Sequence, residues 1–167
     1  MTSNQASSTT TTDLEKREFI AERIFDAPRE LVFRAFSDPE LIAQWWGPKG
    51  WTLPVSKMDF RPGGVWHYCM RGPEGEESWG KAVYREIVAP ERIVYTDFFS
   101  NEEGTPAEGM PELLVTMIFT EHDGKTKLTS RTQFASAAEL QATLDMGMAE
   151  GLSETWDRLD EYLAARQ

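Results

Sequence analysis

Residues 137–164, AAELQATLDMGMAEGLSETWDRLDEYLA, decide the fold of this chain. Leu140, Leu144, Met148, Leu152, Trp156, Leu159 and Leu163 recur at spacings of three and four, the period of an amphipathic helix. The spacing predicts one unbroken helix that closes the chain. Gly147 and Gly151 sit beside the apolar stripe, where each should cost about 1 kcal/mol against alanine. A helix that accepts this cost needs a bend, a close backbone approach or room for something else. The pattern points to a long helix lying across a sheet, with space for a cavity between them.

Short strand-like runs precede the helix. Residues 18–26 (EFIAERIFD) alternate, with Phe19, Ala21 and Arg23 on one side and Ile20, Glu22 and Ile24 on the other. Pro28 opens a short helix whose apolar face is Leu31, Val32, Ala35 and Phe36. Asp38 and Pro39 open a second, through Leu41, Ile42 and Trp45, which Gly47-Pro48 stops. Six strands follow, at residues 53–60, 65–70, 79–88, 92–99, 113–120 and 126–134. Tight turns join most of them, and a flexible loop (residues 100–111) joins the fourth to the fifth. Strands so connected pair antiparallel. The expected fold class is α+β: a curved six- to seven-stranded antiparallel sheet around a long C-terminal helix, with two short helices after strand 1. Residues 14–167 are expected to form a single domain. Residues 1–13, rich in Ser and Thr, are expected to be a disordered tail.

Composition excludes several classes. With 17 basic and 28 acidic residues the net charge is −11, which argues against nucleic acid and anionic membrane surfaces. No apolar run is long enough for a signal-peptide core or a membrane span, so a cytoplasmic protein is expected. Cys69 is the only cysteine, which rules out an internal disulfide and a thiolate metal cluster. His67 and His122, the two histidines, stand in no recognisable catalytic or metal-binding spacing. No catalytic set, cofactor or metal is expected.

Several short motifs carry a resemblance. They are Trp45-Trp46-Gly47-Pro48, then residues 59–64 (DFRPGG) with Trp66, then residues 84–87 (YREI) and 90–93 (PERI). Val115-Thr116 with Phe119, Gly124-Lys125-Thr126 with Leu128, and residues 147–163 complete the order. In this order the chain resembles the START-like (SRPBCC) superfamily, and within it the stand-alone bacterial type of the branch named after the activator of the heat-shock protein 90 ATPase. The resemblance implies the helix-grip (START/Bet v-like) fold. It also implies a cavity under the helix, where members often hold an apolar ligand and some act as enzymes. The resemblance implies that co-chaperone activity goes with an additional chaperone-binding domain, for which this chain is expected to leave no room.

Alternation places Trp66, Tyr68 and Met70 on the inner face of their strand, with Leu113, Val115, Met117 and Phe119, and Leu128, Ser130, Thr132 and Phe134, on the inner faces of theirs. Ser130 and Thr132 are unusual in a core, because a buried hydroxyl needs a partner that a cavity can supply. Gln141 and Asp145 project within the apolar sector of the helix, either at an end that overhangs into solvent or as polar anchors at a pocket mouth. Arg158 lies at the edge of the stripe and is expected to snorkel. Asp59, Glu86 and Asp97 are strand acids, expected to be partnered or exposed; a buried one with a raised pKa could serve as a general base.

The expected ligand-binding set is Trp45, Trp66, Tyr68, Met70, Met117, Phe119, Thr132, Phe134, Leu144, Asp145, Met148 and Trp156. The expected function is binding of an apolar or aromatic small molecule, beneath the half of the helix from residue 140 to residue 151. The alternatives are a co-chaperone-like module that binds a protein through its surface, and a cyclase, dehydratase or hydrolase using the same pocket. A homodimer is left open.

Overall fold

A computed structural model of the protein describes residues 8–166. Its eight strands are β1 (Thr9–Asp13), β2 (Glu18–Phe25), β3 (Thr52–Met58), β4 (Val65–Arg71), β5 (Glu77–Val88), β6 (Arg92–Phe99), β7 (Glu112–His122) and β8 (Lys125–Gln133). Helices α1 (Arg29–Ser37) and α2 (Pro39–Ile42) follow β2, and α3 (Ala137–Asp145) and α4 (Met148–Ala164) close the chain.

All eight strands form one antiparallel sheet in the order β1-β2-β8-β7-β6-β5-β4-β3. The strands from β3 to β8 run as a meander, and only the β2–β8 pair joins segments distant in sequence. Period-two alternation gives the sheet a buried inner face. One row across it is Phe19, Thr132, Val115, Tyr95 and Tyr84, from β2 to β5. The α+β sheet-and-helix architecture is the helix-grip arrangement.

Two expectations are corrected. The tail expected over residues 1–13 is interrupted by β1, whose Thr9–Asp13 pairs with β2 and raises the strand count to eight. Residues 1–7 lie outside the described residues. Polar composition conceals this strand, yet threonine is β-branched and suits an extended backbone. The free edge of β2 offers the backbone partners.

The closing helix is two helices. Gly147 adopts φ 95°, in the left-handed region, and ends the first helix at Met146. Its N–H still donates to the Leu144 carbonyl at 3.0 Å. The apolar stripe runs unbroken through this joint, because periodicity reports which face is buried and is blind to a single residue in left-handed conformation. Ser136 caps α3, accepting from the Glu139 N–H at 3.1 Å.

The second half of α4 forms the core with the sheet. Leu159 and Leu163 are fully buried, and Trp156 meets Phe25 edge-to-face at 5.7 Å. Arg23 on β2 is 3% exposed and ties the sheet to α4. Its Nη1 lies 2.8 Å from Asp160 Oδ2 and 3.0 Å from Asp157 Oδ1.

Candidate functional site

Between the inner face of the sheet and the α3–α4 joint lies a cavity of about 600 Å³. Its floor is Phe19, Tyr95, Leu113, Val115, Ser130 and Thr132; its roof is Ala142, Thr143, Met148, Gly151 and Leu152. Trp46, Gly47 and Pro48 close one side. Met110 and Met146 are exposed at its boundary.

Asp97 on β6 is the one carboxylate the sheet contributes to the wall. It is half-buried. Tyr68 on β4 donates its hydroxyl to Asp97 Oδ1 at 3.3 Å, across the intervening β5. Gly80 makes this reach feasible. A Cβ there would stand 2.5 Å from Tyr68 Cζ and Oη, so only glycine leaves room for the ring. Trp66 stacks on Tyr68, with centroids 4.1 Å apart, and donates Nε1–H to Ser56 Oγ at 3.0 Å.

Burial pushes the Asp97 carboxyl up to about 7, outweighing the downward pull of the Tyr68 hydroxyl and the Phe98 backbone N–H. Burial and the neighbouring Asp97 charge hold the Tyr68 and Tyr95 hydroxyls well above their ordinary value. Near neutral pH the site therefore contains neutral tyrosines and one carboxyl that changes charge. Such a group in a cleft is a recognised mark of a functional site.

The tryptophan wall is held from behind by Arg158 on α4. Its Nη1 lies 3.0–3.3 Å from the carbonyl oxygens of Trp46, Gly47, Pro48 and Trp51. Arg158 is thus a clamp on the 46–51 loop as well as a residue at the edge of the stripe. Burial lowers its pKa.

A sequence model of the activator of Hsp90 ATPase homolog 1-like protein family matches residues 26–164. The chain belongs to this family. It is also similar to solved structures of bacterial proteins. Protein Ms6760 from Mycobacterium smegmatis is 32% identical, with a TM-score of 0.87 over 95% of this chain and 97% of that one. A protein from Arthrobacter aurescens is 29% identical (TM-score 0.88, covering 94% and 91%), and one from Staphylococcus epidermidis is 31% identical (0.80, 94% and 95%). No curated protein matches the chain significantly.

In this family member, four of the expected site residues stand on the cavity wall: Tyr68, Met70, Thr132 and Met148. The others lie elsewhere. Trp45 is fully buried and donates its Nε1–H to the Ala35 carbonyl at 3.3 Å, while its neighbour Trp46 takes the wall position. Phe119 packs in the core against Phe33 and Phe36. Trp66 and Met117 border a separate void of about 20 Å³. Phe134 and Trp156 are core residues, and Leu144 is half-buried against the core. Asp145 is exposed and accepts from Gln141 Nε2 at 3.0 Å, so this pair satisfies itself away from the cavity.

Sequence reading passed over Trp46, Tyr95 and Asp97 as site residues. Alternation does carry the signal for two of them. Tyr95 and Asp97 are two apart on β6 and share its inner face with the buried Ile93. Asp97 was expected to be partnered or exposed; it is partnered by Tyr68 but enclosed, with its carboxyl raised. Trp46 had no local signal, because a turn has no period.

Proposed function

We propose that this protein binds an apolar or aromatic small molecule in the cavity between the sheet and the α3–α4 joint. The cavity of about 600 Å³ carries the reading. Its size falls within the range of about 300–1,000 Å³ usual for small-molecule sites. Its walls are mainly hydrocarbon and aromatic, with a few polar groups converging from Tyr68, Asp97, Ser130 and Thr132. Apolar walls supply affinity through the area removed from water, and the polar groups fix orientation. The cavity also lies under the half of the helical segment that the sequence marks as loose.

The family description names an activator of the Hsp90 ATPase. A module acting only through its surface has no need of such a cavity, so we rank that role second. Among the described residues no helix is long and apolar enough to cross a membrane. We place the activity in the cytoplasm.

Native mass spectrometry of protein purified from its own host, joined to titration with Nile red, tests the proposal. The expected result is a one-to-one complex that Met148→Trp abolishes by filling the cavity. Absence of any co-purifying molecule, together with no saturable dye binding, would refute it.

A further inference from the structure

The cavity is lined by carboxyl groups and by no cationic ones. Asp97 and Glu139 both line it, whereas no lysine, arginine or histidine does among the described residues. Neither carboxyl meets a cation among the residues that line the cavity. Glu139 Oε1 is buried and accepts no hydrogen bond among the described residues. The side-chain partner of Asp97 is the neutral Tyr68 hydroxyl, at the long distance of 3.3 Å. Around them stand the aromatic side chains of Phe19, Trp46, Tyr68 and Tyr95.

Such walls discriminate by charge. An anionic guest, such as a fatty acid or an acyl phosphate, would meet two carboxyls in a poorly solvated space with no cation to offset them. A neutral guest would leave both carboxyls as they are. A protonated amine would give Asp97 the counter-ion that the fold withholds, reduce the unfavourable field at Glu139, and be attracted to the aromatic faces. Its hydrocarbon body would occupy the space under α3 and α4.

Building on the ligand-binding reading above, we propose that the cavity takes a lipophilic amine, whose protonated nitrogen is held by the Asp97 carboxylate and the Tyr68 hydroxyl oxygen, with Glu139 as a second negative group. Asp97 is the selectivity residue. The raised pKa of its carboxyl agrees with a site built to meet a cation that is absent from the unliganded protein.

Two matched series test this by calorimetry at pH 7.5. One is 1-naphthylmethylamine, 1-naphthylmethanol and 1-naphthoate; the other is dodecylamine, dodecanol and dodecanoate. In at least one series the amine should bind about tenfold or more tighter than the alcohol, and the carboxylate weakest, as expected for a charge-assisted contact. Asp97→Asn should abolish the amine preference, bringing the amine-to-alcohol affinity ratio to about one. Glu139→Gln, a second probe that leaves Asp97 intact, should lower amine affinity about threefold or more. Alcohols that bind as tightly as amines, or an amine preference that survives Asp97→Asn, would overturn the amine proposal and leave the cavity reading standing. If no member of either series binds, the cavity reading falls and this proposal with it.

Discussion

The hydroxyl of Tyr68 on β4 reaches Asp97 on β6 by lying over Gly80, on the strand between them. The two residues are 29 apart in sequence, and one strand separates theirs. What joins them is the absence of one Cβ. A tyrosine on an ordinary strand would stand beside its cross-strand neighbour and could not span it.

Gly80→Ala tests this relationship. The added Cβ would sit 2.5 Å from the tip of the Tyr68 ring, which must move. Overpacking of this kind costs about 1–3 kcal/mol. Chemical denaturation should show that loss, and the Tyr68→Leu background should reduce it, because a leucine does not reach over position 80. Equal costs in both backgrounds would show that Tyr68 is not what Gly80 accommodates.

Asp97 should make stability depend on pH in the direction opposite to an ion-paired acid. Its folded pKa of about 7 lies above the ordinary value of about 3.9, so the folded state binds the proton more tightly. Between about pH 4 and about pH 7 the unfolded chain therefore holds fewer protons, and stability falls as pH rises. Asp97→Asn removes this term. Its stability relative to the parent should grow across that window, by up to about 4 kcal/mol at pH 8. Asp160, raised to about 6 by burial against the pull of Arg23, acts in the same direction in both proteins and cancels in the difference. The titratable groups coupled to Asp97 are Tyr68, Tyr84 and Tyr95, whose hydroxyls are all raised and stay neutral across the window.

Arg158 should resist replacement even by lysine. Its Nη1 serves four carbonyl oxygens of the 46–51 loop, and Nη2 approaches the Gln44 carbonyl at 3.5 Å. A lysine is a single point donor without the guanidinium's planar fork. Arg158→Lys should cost about 2 kcal/mol by thermal denaturation, with Arg158→Ala only slightly worse. Both should weaken Nile red binding, since the loop carries Trp46. A lysine variant with parental stability would refute the clamp.

The two helix glycines should answer an alanine substitution with opposite signs. Gly147 has φ 95°, so alanine there is strained and should destabilise by about 1–2 kcal/mol. Gly151 lies inside α4, and a Cβ there would meet only Pro48 Cγ at 3.9 Å, an ordinary contact. Gly151→Ala should stabilise by up to about 1 kcal/mol, the helix-interior difference between the two residues. Paired thermal melts decide the point, and a matched response would contradict the broken-helix geometry.

Much of the fold was legible because its signals are local. Alternation placed Trp66, Tyr68 and Met70, and the inner residues of β7 and β8, on the buried face, since successive side chains on a strand must oppose one another. The turn residues between β3 and β8 implied the antiparallel meander. The joint at Gly147 was only half-legible: glycine permits a left-handed residue, but whether the chain uses it depends on what the two helices must cover.

By itself, the sequence determined the helix-grip architecture, the inner faces of β4, β7 and β8, and the approximate level of the cavity along the closing helical segment. Only the tertiary structure decided which inner residues line the cavity and which fill the core. Trp45 and Trp46 are neighbours, yet one is sealed in the core and the other walls the cavity, with Arg158 fixing the loop that presents it. Asp97 and Tyr68 meet because the Tyr68 ring lies over Gly80, the residue without a side chain on the strand between theirs. Periodicity specifies the direction of a side chain. How far the opposing layer stands off, and so whether that side chain meets a neighbour or a void, is set by packing across the whole molecule.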